Sequence, residues 1–298
     1  MPASPTEPCI RVVGEIMVDT LAQVQGPLAI GSDTPATVSD HDGGSAANLA
    51  IWLARGGLTV ELIACVGEDA QGARALARLA EVGVRTAVRR VPDLATGRCV
   101  VIVGSDAERT MLPDPGANAA LSPVDVRPDD WSHSDHLHVS GYSLLREGPR
   151  TAALAALAAA RTRGMGVSID ASSAEPLRVA GPEQVLSSCA PGDLLFANAA
   201  EAEVLTGEAD PGIAAQVLAA RGLIAVVKLG PRGAIAVRGD ERHHAPAPAV
   251  AAVDSTGAGD AFAAGFLGAW SREHRLPVAL EEATRLAGHA VSATGARP

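Results

Sequence analysis

Short apolar runs alternate along this chain with longer stretches of helical spacing, and few architectures satisfy that alternation. Residues 9–17, 60–66, 137–140, 166–170, 193–197 and 225–229 read as buried strands. Between and after them, residues 45–55, 151–163, two stretches following Asn198, 258–271 and 278–292 carry helical spacing, and Asp69 stands where it can cap an Ala/Leu helix ending near Gly83. Strand–helix–strand units cross over right-handed, so the pattern predicts a mainly parallel sheet covered on both faces. Ligands bind such sheets beyond the carboxyl ends of the strands. Asp19, Gly141, Asn198 and Gly230 each follow a predicted strand and so share one edge.

Two segments, 20–42 and 96–112, alternate polar and apolar residues and fit the parallel scheme badly. They predict a small β lid, with 99–103 and 109–112 as strands around a polar turn at 104–108. The expected organisation is therefore a core of 1–19, 43–95 and 113–298 with a lid of 20–42 and 96–112. Residues 234–237 suit a hairpin partner for 225–229.

The segment Asp254-Ser-Thr-Gly-Ala-Gly-Asp260 carries the most chemistry. A strand-like approach at 249–253 leads into a loop of small residues that opens a helix. Gly257, Ala258 and Gly259 leave their backbone N–H groups unobstructed at a helix N-terminus, where unsatisfied donors and the helix dipole attract an anion. Asp260 places a carboxylate in the first turn. Donors for a transferred anionic group and a base for a hydroxyl proton are what phosphoryl transfer to an alcohol requires. A Walker A loop is excluded, because Lys228 is the sole lysine and lies in Val-Lys-Leu. A dinucleotide fingerprint is excluded too: the motif is C-terminal and Phe262 stands where a third glycine belongs.

Composition narrows the partners. Hydrophobic residues make up 47% of the 298 residues, enough for a sizeable core, while aromatics supply 2% and the net charge is −10. Nucleic acid would need basic surface and stacking platforms, so it is not an expected partner. No apolar run reaches the length of a membrane span, and Cys9, Cys65, Cys99 and Cys189 are scattered with no C-x-x-C pair. The expectation is a reduced cytoplasmic protein without a membrane anchor.

Residues 254–265 resemble the C-terminal signature of the ribokinase-like, or PfkB-type, carbohydrate kinases. Gly43-Gly-Ser-Ala-Ala-Asn48 resembles that family's N-terminal diglycine motif, and Asn198-Ala-Ala-Glu201 followed by Leu205-Thr-Gly207 resembles its N-x-x-E element. The three occur in order across nearly the whole chain. The resemblance implies a three-layer α/β/α sandwich with a mainly parallel central sheet and a β-sheet lid, and ATP-dependent phosphorylation of a hydroxymethyl group on a sugar-like molecule. It assigns Asp260 as catalytic base, Gly257, Ala258 and Gly259 as the anion hole, and Asp19, Gly43, Gly44 and Asn48 to the acceptor. It places Lys228, Gly230 and Gly233 at ATP, and Asn198 and Glu201 at Mg²⁺ through water. It also suggests Asp254, with backbone near Val291 and Gly295, for a monovalent cation such as K⁺, and a homodimer paired through the lid.

From the residues alone, Asn198 and Glu201 equally suit a helix capping box, and Gly43-Gly44 a turn before a helix. Arg109 is a candidate for an acidic substrate group, or a solvated hairpin residue. Ser140-Gly-Tyr142 offers no carboxylate after its strand, unlike ribokinases proper, which leaves fructose, a keto-deoxy sugar acid or a nucleoside open as acceptor. Tyr142, the sole tyrosine, suits a half-buried packing position or a stack on a sugar or base. For His133, His136 and His138 no nearby Cys or acidic triad completes a ligand set beyond Asp135, which argues against zinc. The competing functions are a nucleoside kinase of the same fold and a non-catalytic sugar sensor, which would be expected to have lost Asp260 and the small-residue loop.

Overall fold

The computed structural model describes residues 9–104, 109–133, 135–292 and 297. In chain order the strands are β1 (Cys9–Val13), β2 (Met17–Val24), β3 (Ala36–Gly43), β4 (Thr59–Gly67), β5 (Arg85–Val91), β6 (Gly97–Val103), β7 (Arg109–Asp114), β8 (His136–Ser140), β9 (Gly166–Asp170), β10 (Leu194–Asn198), β11 (Ile224–Lys228), β12 (Ala234–Arg238) and β13 (Glu241–Ala245). The α-helices are α1 (Ser45–Arg55), α2 (Ala70–Glu81), α3 (Gly141–Leu144), α4 (Glu147–Thr162), α5 (Ala174–Ala180), α6 (Glu183–Leu186), α7 (Ala199–Thr206), α8 (Pro211–Ala220), α9 (Ala258–Glu273) and α10 (Leu276–Val291).

Among the described residues, nine strands form one sheet in the order β13-β12-β11-β10-β9-β8-β1-β4-β5. It is parallel from β11 to β5 and closes with the antiparallel hairpin β11–β12–β13 at one edge. Side chains alternate across a strand, so Ile10 and Val12 of β1 join an apolar cluster with Leu49, Leu79, Phe266 and Leu280 of α1, α2, α9 and α10. Val13 faces the other way, against Leu157 of α4 and Leu218 of α8. This gives a helix–sheet–helix sandwich. Alanine and branched aliphatics fill most of both layers; the few aromatics concentrate where Phe196 meets Phe266 edge-on at 5.3 Å and Phe266 stacks on Trp270 at 5.9 Å.

A second, four-stranded sheet of order β3-β2-β6-β7 stands apart. Its strands come from the two segments flanking the start of α1 and the 3₁₀ turn at Gly116–Ala120.

Two expectations need correction. Residues 9–17 are not one strand. β1 stops at Val13 and pairs within the large sheet, whereas β2 starts at Met17 in the small one. The Asn118 side chain takes the place of a strand neighbour at the break: its Oδ1 accepts from Ile16 N–H at 3.0 Å and its Nδ2 donates to Ile16 O at 2.9 Å. Nor do residues 249–253 form a strand. Pro246 and Pro248, just before it, lack the N–H donors a ladder needs, and the segment itself is tied to the end of α10 by Val253 N–H and Asp254 N–H, both donating to Val291 O at 2.7 and 3.2 Å. β5 and β13 carry too many Arg, His and Glu side chains to show as apolar runs, as suits strands at the two sheet edges. No helix among the described residues is long and apolar enough to cross a membrane.

Candidate active site

The parallel strands end in one cavity of about 1630 Å³, roofed by the small sheet. Pockets for one small ligand run to roughly 1,000 Å³, so this one has room for two side by side. Asp19, Gly44, Asn48, Arg109 and Tyr142 line it together with Asn198, Glu201, Lys228, Gly230 and Gly233, and with Gly257, Ala258, Gly259 and Asp260. Asp19 and Asp260 thus open onto the same space. Gly43 lies behind Asp19 rather than on the wall, and Asp254 sits just off it.

The half nearest the small sheet is built by the β3–α1 junction. Gly44 caps α1 with φ of +92°, a left-handed value that glycine adopts freely. A Cβ on Gly43 would fall 2.3 Å from Asp19 Oδ2, and one on Gly44 would fall 2.6 Å from the Glu15 carbonyl. The diglycine therefore lets β3 pass against the Asp19 carboxylate and lets α1 start directly over Glu15. On the first turn of α1, Ser45 Oγ donates to Asp260 Oδ1 at 2.7 Å and Asn48 Nδ2 donates to Asp260 Oδ2 at 2.9 Å.

The other half is the N-terminus of α9. Gly257 precedes the helix with φ of +71°, and Asp260 occupies its third position. Ala258 N–H turns back to Ser255 O at 3.3 Å; the amides of Gly259 and Asp260 have no intrahelical partner by helix geometry. Beneath them Lys228 Nζ, at the end of β11, donates to Asp170 Oδ2 at 2.9 Å, and it would lie 3.6 Å from a Cβ placed on Gly259. Asn198 and Glu201 form a capping box at the start of α7: Asn198 N–H donates to Glu201 Oε2 at 2.7 Å, and Glu201 N–H donates to Asn198 Oδ1 at 2.9 Å.

A small-residue helix start that carries an aspartate, set across a cavity from a diglycine turn, also marks a known family. Residues 9–298 match the model of the pfkB family carbohydrate kinases. The chain belongs to the PfkB family of carbohydrate kinases. It is 33% identical to an ATP-dependent ribose-1-phosphate kinase of Halopiger xanaduensis, over 95% of this chain and 89% of that one. It is 31% identical to a fructokinase of Escherichia coli, over 96% and 94%. Its fold superposes on the crystal structure of an adenosine kinase from Sinorhizobium meliloti with a TM-score of 0.88 at 25% identity, covering 98% of this chain and 96% of the other. The sandwich with a small separate sheet is the ribokinase-like fold.

In this kinase four cavity acids titrate high. Burial pushes Asp260 up to about 6, against the downward pull of the Ser45 and Asn48 hydrogen bonds; the Asp170 charge adds to the rise and Lys228 opposes it. Burial likewise lifts Asp19 to about 6, opposed by Arg297 and His41, and Glu15 to about 7. Burial works against the charged form of Lys228, but Asp170 and Glu201 outweigh it and hold the ammonium firmly protonated. Burial also raises Glu201, with Lys228 pulling the other way.

Asn48 is the clearest surprise. A role holding acceptor hydroxyls with both amide ends was expected, yet both ends are engaged within the protein. Its Nδ2 faces Asp260, and its Oδ1 accepts from Arg297 Nε at 2.7 Å. Arg297 also donates to Gly43 O at 2.8 Å. Arg109 of β7 does not reach toward the acceptor half: it donates to Thr256 Oγ1, and to Asp254 Oδ1 at 2.6 Å, joining the small sheet to the loop before α9. A monovalent cation at Asp254 would have to share that carboxylate with a guanidinium and with Thr256 N–H at 2.8 Å; Gly295 lies outside the described residues. His136 and His138 both contact Ser168 Oγ, at 2.9 and 2.8 Å, inside the sandwich, where burial keeps both rings neutral.

Sequence reasoning missed Ser45, Glu15, Asp170 and Arg297. Ser45 lies inside the quoted diglycine motif, and Asp170 ends a predicted strand at the ligand-bearing edge, so both had a signal. Arg297 had none, since no local pattern links it to Asn48, 249 residues away.

Proposed function

We propose that this kinase transfers the γ-phosphoryl group of ATP to a hydroxymethyl group of a sugar or sugar-like acceptor, with Asp260 as general base. One observation carries the reading: the acid in the first turn of α9 is gripped by Ser45 and Asn48 from the diglycine side, which supports a base lying between an anion site and an acceptor site. In this mechanism the acceptor lies between Asp19 and Asp260, with Asp19 taking hydrogen bonds from its hydroxyls. Asp260 removes the proton from the attacking oxygen. The Gly257 and Gly259 amides and the α9 dipole stabilise charge on the transferred group, and Ala258 N–H joins them on turning from Ser255 O. Lys228 adds a fixed positive charge below them, while Gly230 and Gly233 shape the wall toward the rest of ATP.

The oxygen-rich set of Asn198, Glu201 and Asp170 suits a hard cation held through water, as Mg²⁺ prefers; bound there, the ion would neutralise phosphate charge. Closure of the small sheet as a lid would exclude water from the transfer. Val38, Met111 and Leu112, each more than half exposed on the small sheet, support a homodimer paired through the lids. Four free cysteines suit a reducing, cytoplasmic setting.

The test is an ADP-coupled assay against sugars, sugar phosphates and nucleosides. Turnover with at least one is expected, and strong turnover with nucleosides alone would move the enzyme to the nucleoside kinases, a reading favoured by the fit to the adenosine kinase structure. Asp260→Asn should lower kcat by roughly 10²- to 10⁴-fold, the range for loss of a general base, while calorimetric ATP binding stays within a few-fold. Near-normal turnover would overturn the assignment.

A further inference from the structure

We propose that Glu15 is a second acceptor-binding carboxylate: it receives a neutral O–H or N–H donor of the acceptor next to the group that reacts, and so governs which acceptors are phosphorylated. The inference rests on the kinase reading above and adds a specificity-determining residue to it.

Glu15 lies immediately beyond β1, in the break before β2, and lines the cavity. Its backbone is pinned by close approaches on both sides. A Cβ on Gly14 would lie 2.3 Å from Ala46 Cβ and 2.9 Å from Ser140 Cβ, while the Glu15 carbonyl lies under Gly44. The side chain is held less completely. Oε1 accepts from Ala46 N–H at a long 3.4 Å. Oε2 and the neighbouring Ser140 Oγ are buried; the hydroxyl lies near enough to lower Glu15, but the two are not joined by a hydrogen bond of normal geometry, and neither has another partner among the described residues.

Three of the other cavity acids contrast with this. Asp260 is held by Ser45 and Asn48, Asp170 by Lys228 and Ser172 N–H, and Glu201 by Asn198. A buried oxygen without a partner is costly, and it persists where function needs it. Packing does not require a carboxylate here, because an amide of the same shape would fill the space without the cost of burying a charge.

The surroundings define what the oxygen takes. Burial drives Glu15 up to about 7, with the Asp260 charge adding to the rise and the Ser140 hydroxyl and the Ala46 and Ser45 amides opposing it. A phosphate or carboxylate of the acceptor would add a third negative group beside these two acids. A hydroxyl or ring N–H can donate to Oε2 whether or not Asp260 is ionised. Anionic substituents on an acceptor must therefore point away from Glu15.

The experiment uses the full chain and the variants Glu15→Gln and Glu15→Ala. Ribose, fructose, ribose 1-phosphate and adenosine serve as acceptors, read by steady-state kinetics and by thermal shift with and without each compound. For the best acceptor, Glu15→Ala should raise KM about 10- to 100-fold, the factor for losing a hydrogen bond to a charged group, with KM for ATP within about twofold. Glu15→Gln should also raise acceptor KM, yet raise the melting temperature of the ligand-free protein, since it removes a buried unpaired charge. A residue of purely structural importance would not give that opposite pair. If Glu15→Ala fails to fold, the Gln variant decides alone.

Wild-type turnover with acceptor KM and acceptor preference unchanged in the variants would overturn the Glu15 inference and leave the kinase reading intact. Absence of both turnover and thermal stabilisation by every acceptor would overturn the two together.

Discussion

The hydrogen bond from Ser45 to Asp260 makes the ionisation of the proposed base open to direct measurement. Ser45 Oγ donates at 2.7 Å to one carboxylate oxygen while Asn48 holds the other, and both bonds pull Asp260 down against burial to about 6. Ser45→Ala removes one bond to the ionised form and leaves the burial. A hydrogen bond to a charged group is worth about 1.5–3 kcal/mol, and one pKa unit is about 1.4 kcal/mol. Water entering the space of the lost hydroxyl recovers part of this, so the acid limb should move up by about one pH unit. A base must be unprotonated to act, and kcat/KM reports the free enzyme. At pH 6 the ionised fraction would fall from about one half to about one tenth, a roughly fivefold loss of kcat/KM. At pH 7 the loss would be roughly twofold, and at pH 8.5 it would nearly vanish. Profiles of kcat/KM from pH 5 to 9 for both enzymes, in an ADP-coupled assay with the coupling enzymes in excess, decide the matter. A loss equal at every pH, or an unmoved limb, would refute the claim that Ser45 acts by holding Asp260 ionised.

Gly43→Ala would place a methyl group 2.3 Å from Asp19 Oδ2 and push that carboxylate out of place. Acceptor KM should rise about tenfold or more while KM for ATP stays unchanged, and an equal rise in both would show that the damage is general. Lys228→Met leaves Asp170 and Glu201 without their shared cation. Breaking such a pair costs up to about 3–5 kcal/mol when fully buried, and the 15% side-chain exposure of Lys228 places the loss toward the lower end. Calorimetry should show a lowered melting temperature that Lys228→Met combined with Asp170→Asn largely restores, with phosphoryl transfer still impaired in the double variant. Arg109→Ala unlatches the small sheet from the loop holding Thr256 and Asp254. The ratio of ATP hydrolysis to acceptor phosphorylation should increase, and an unchanged ratio would count against lid closure through this contact.

The sheet was legible because parallel strands buried on both faces must be nearly continuous apolar runs, and all six that stand out pair in the large sheet. What escaped were features set by tertiary partners. Nothing in the run Cys9-Ile-Arg-Val-Val-Gly-Glu-Ile-Met marks a break after Val13, because Asn118, a hundred residues on, makes it. Arg11 in the middle of β1 is tolerated because Glu61, Asp135 and the face of Trp131 surround it. The site shows the same division. Asp260 and the glycine loop announce themselves through local chemistry and Asp19 through the family resemblance, whereas the partner of each charge does not. Lys228 was legible as a lone cation after a strand, but not its pairing with Asp170, which depends on β9 and β11 flanking β10.

The spacing of Gly43-Gly-Ser-Ala-Ala-Asn48 follows from these contacts. Ser45 and Asn48 are three residues apart at the start of α1 and so share one face of the helix, and that face meets both oxygens of Asp260. The two glycines just before them let the same helix begin against Asp19 and Glu15. A rigid element of eleven residues thus fixes Asp19, Glu15 and Asp260 relative to each other. A shift of one residue in the spacing would rotate the second donor by about 100° and leave Asp260 with a single hydrogen bond in a buried site. The separation of serine and asparagine is therefore a constraint on the ionisation of Asp260, and the glycines before them a constraint on how closely α1 approaches Asp19 and Glu15.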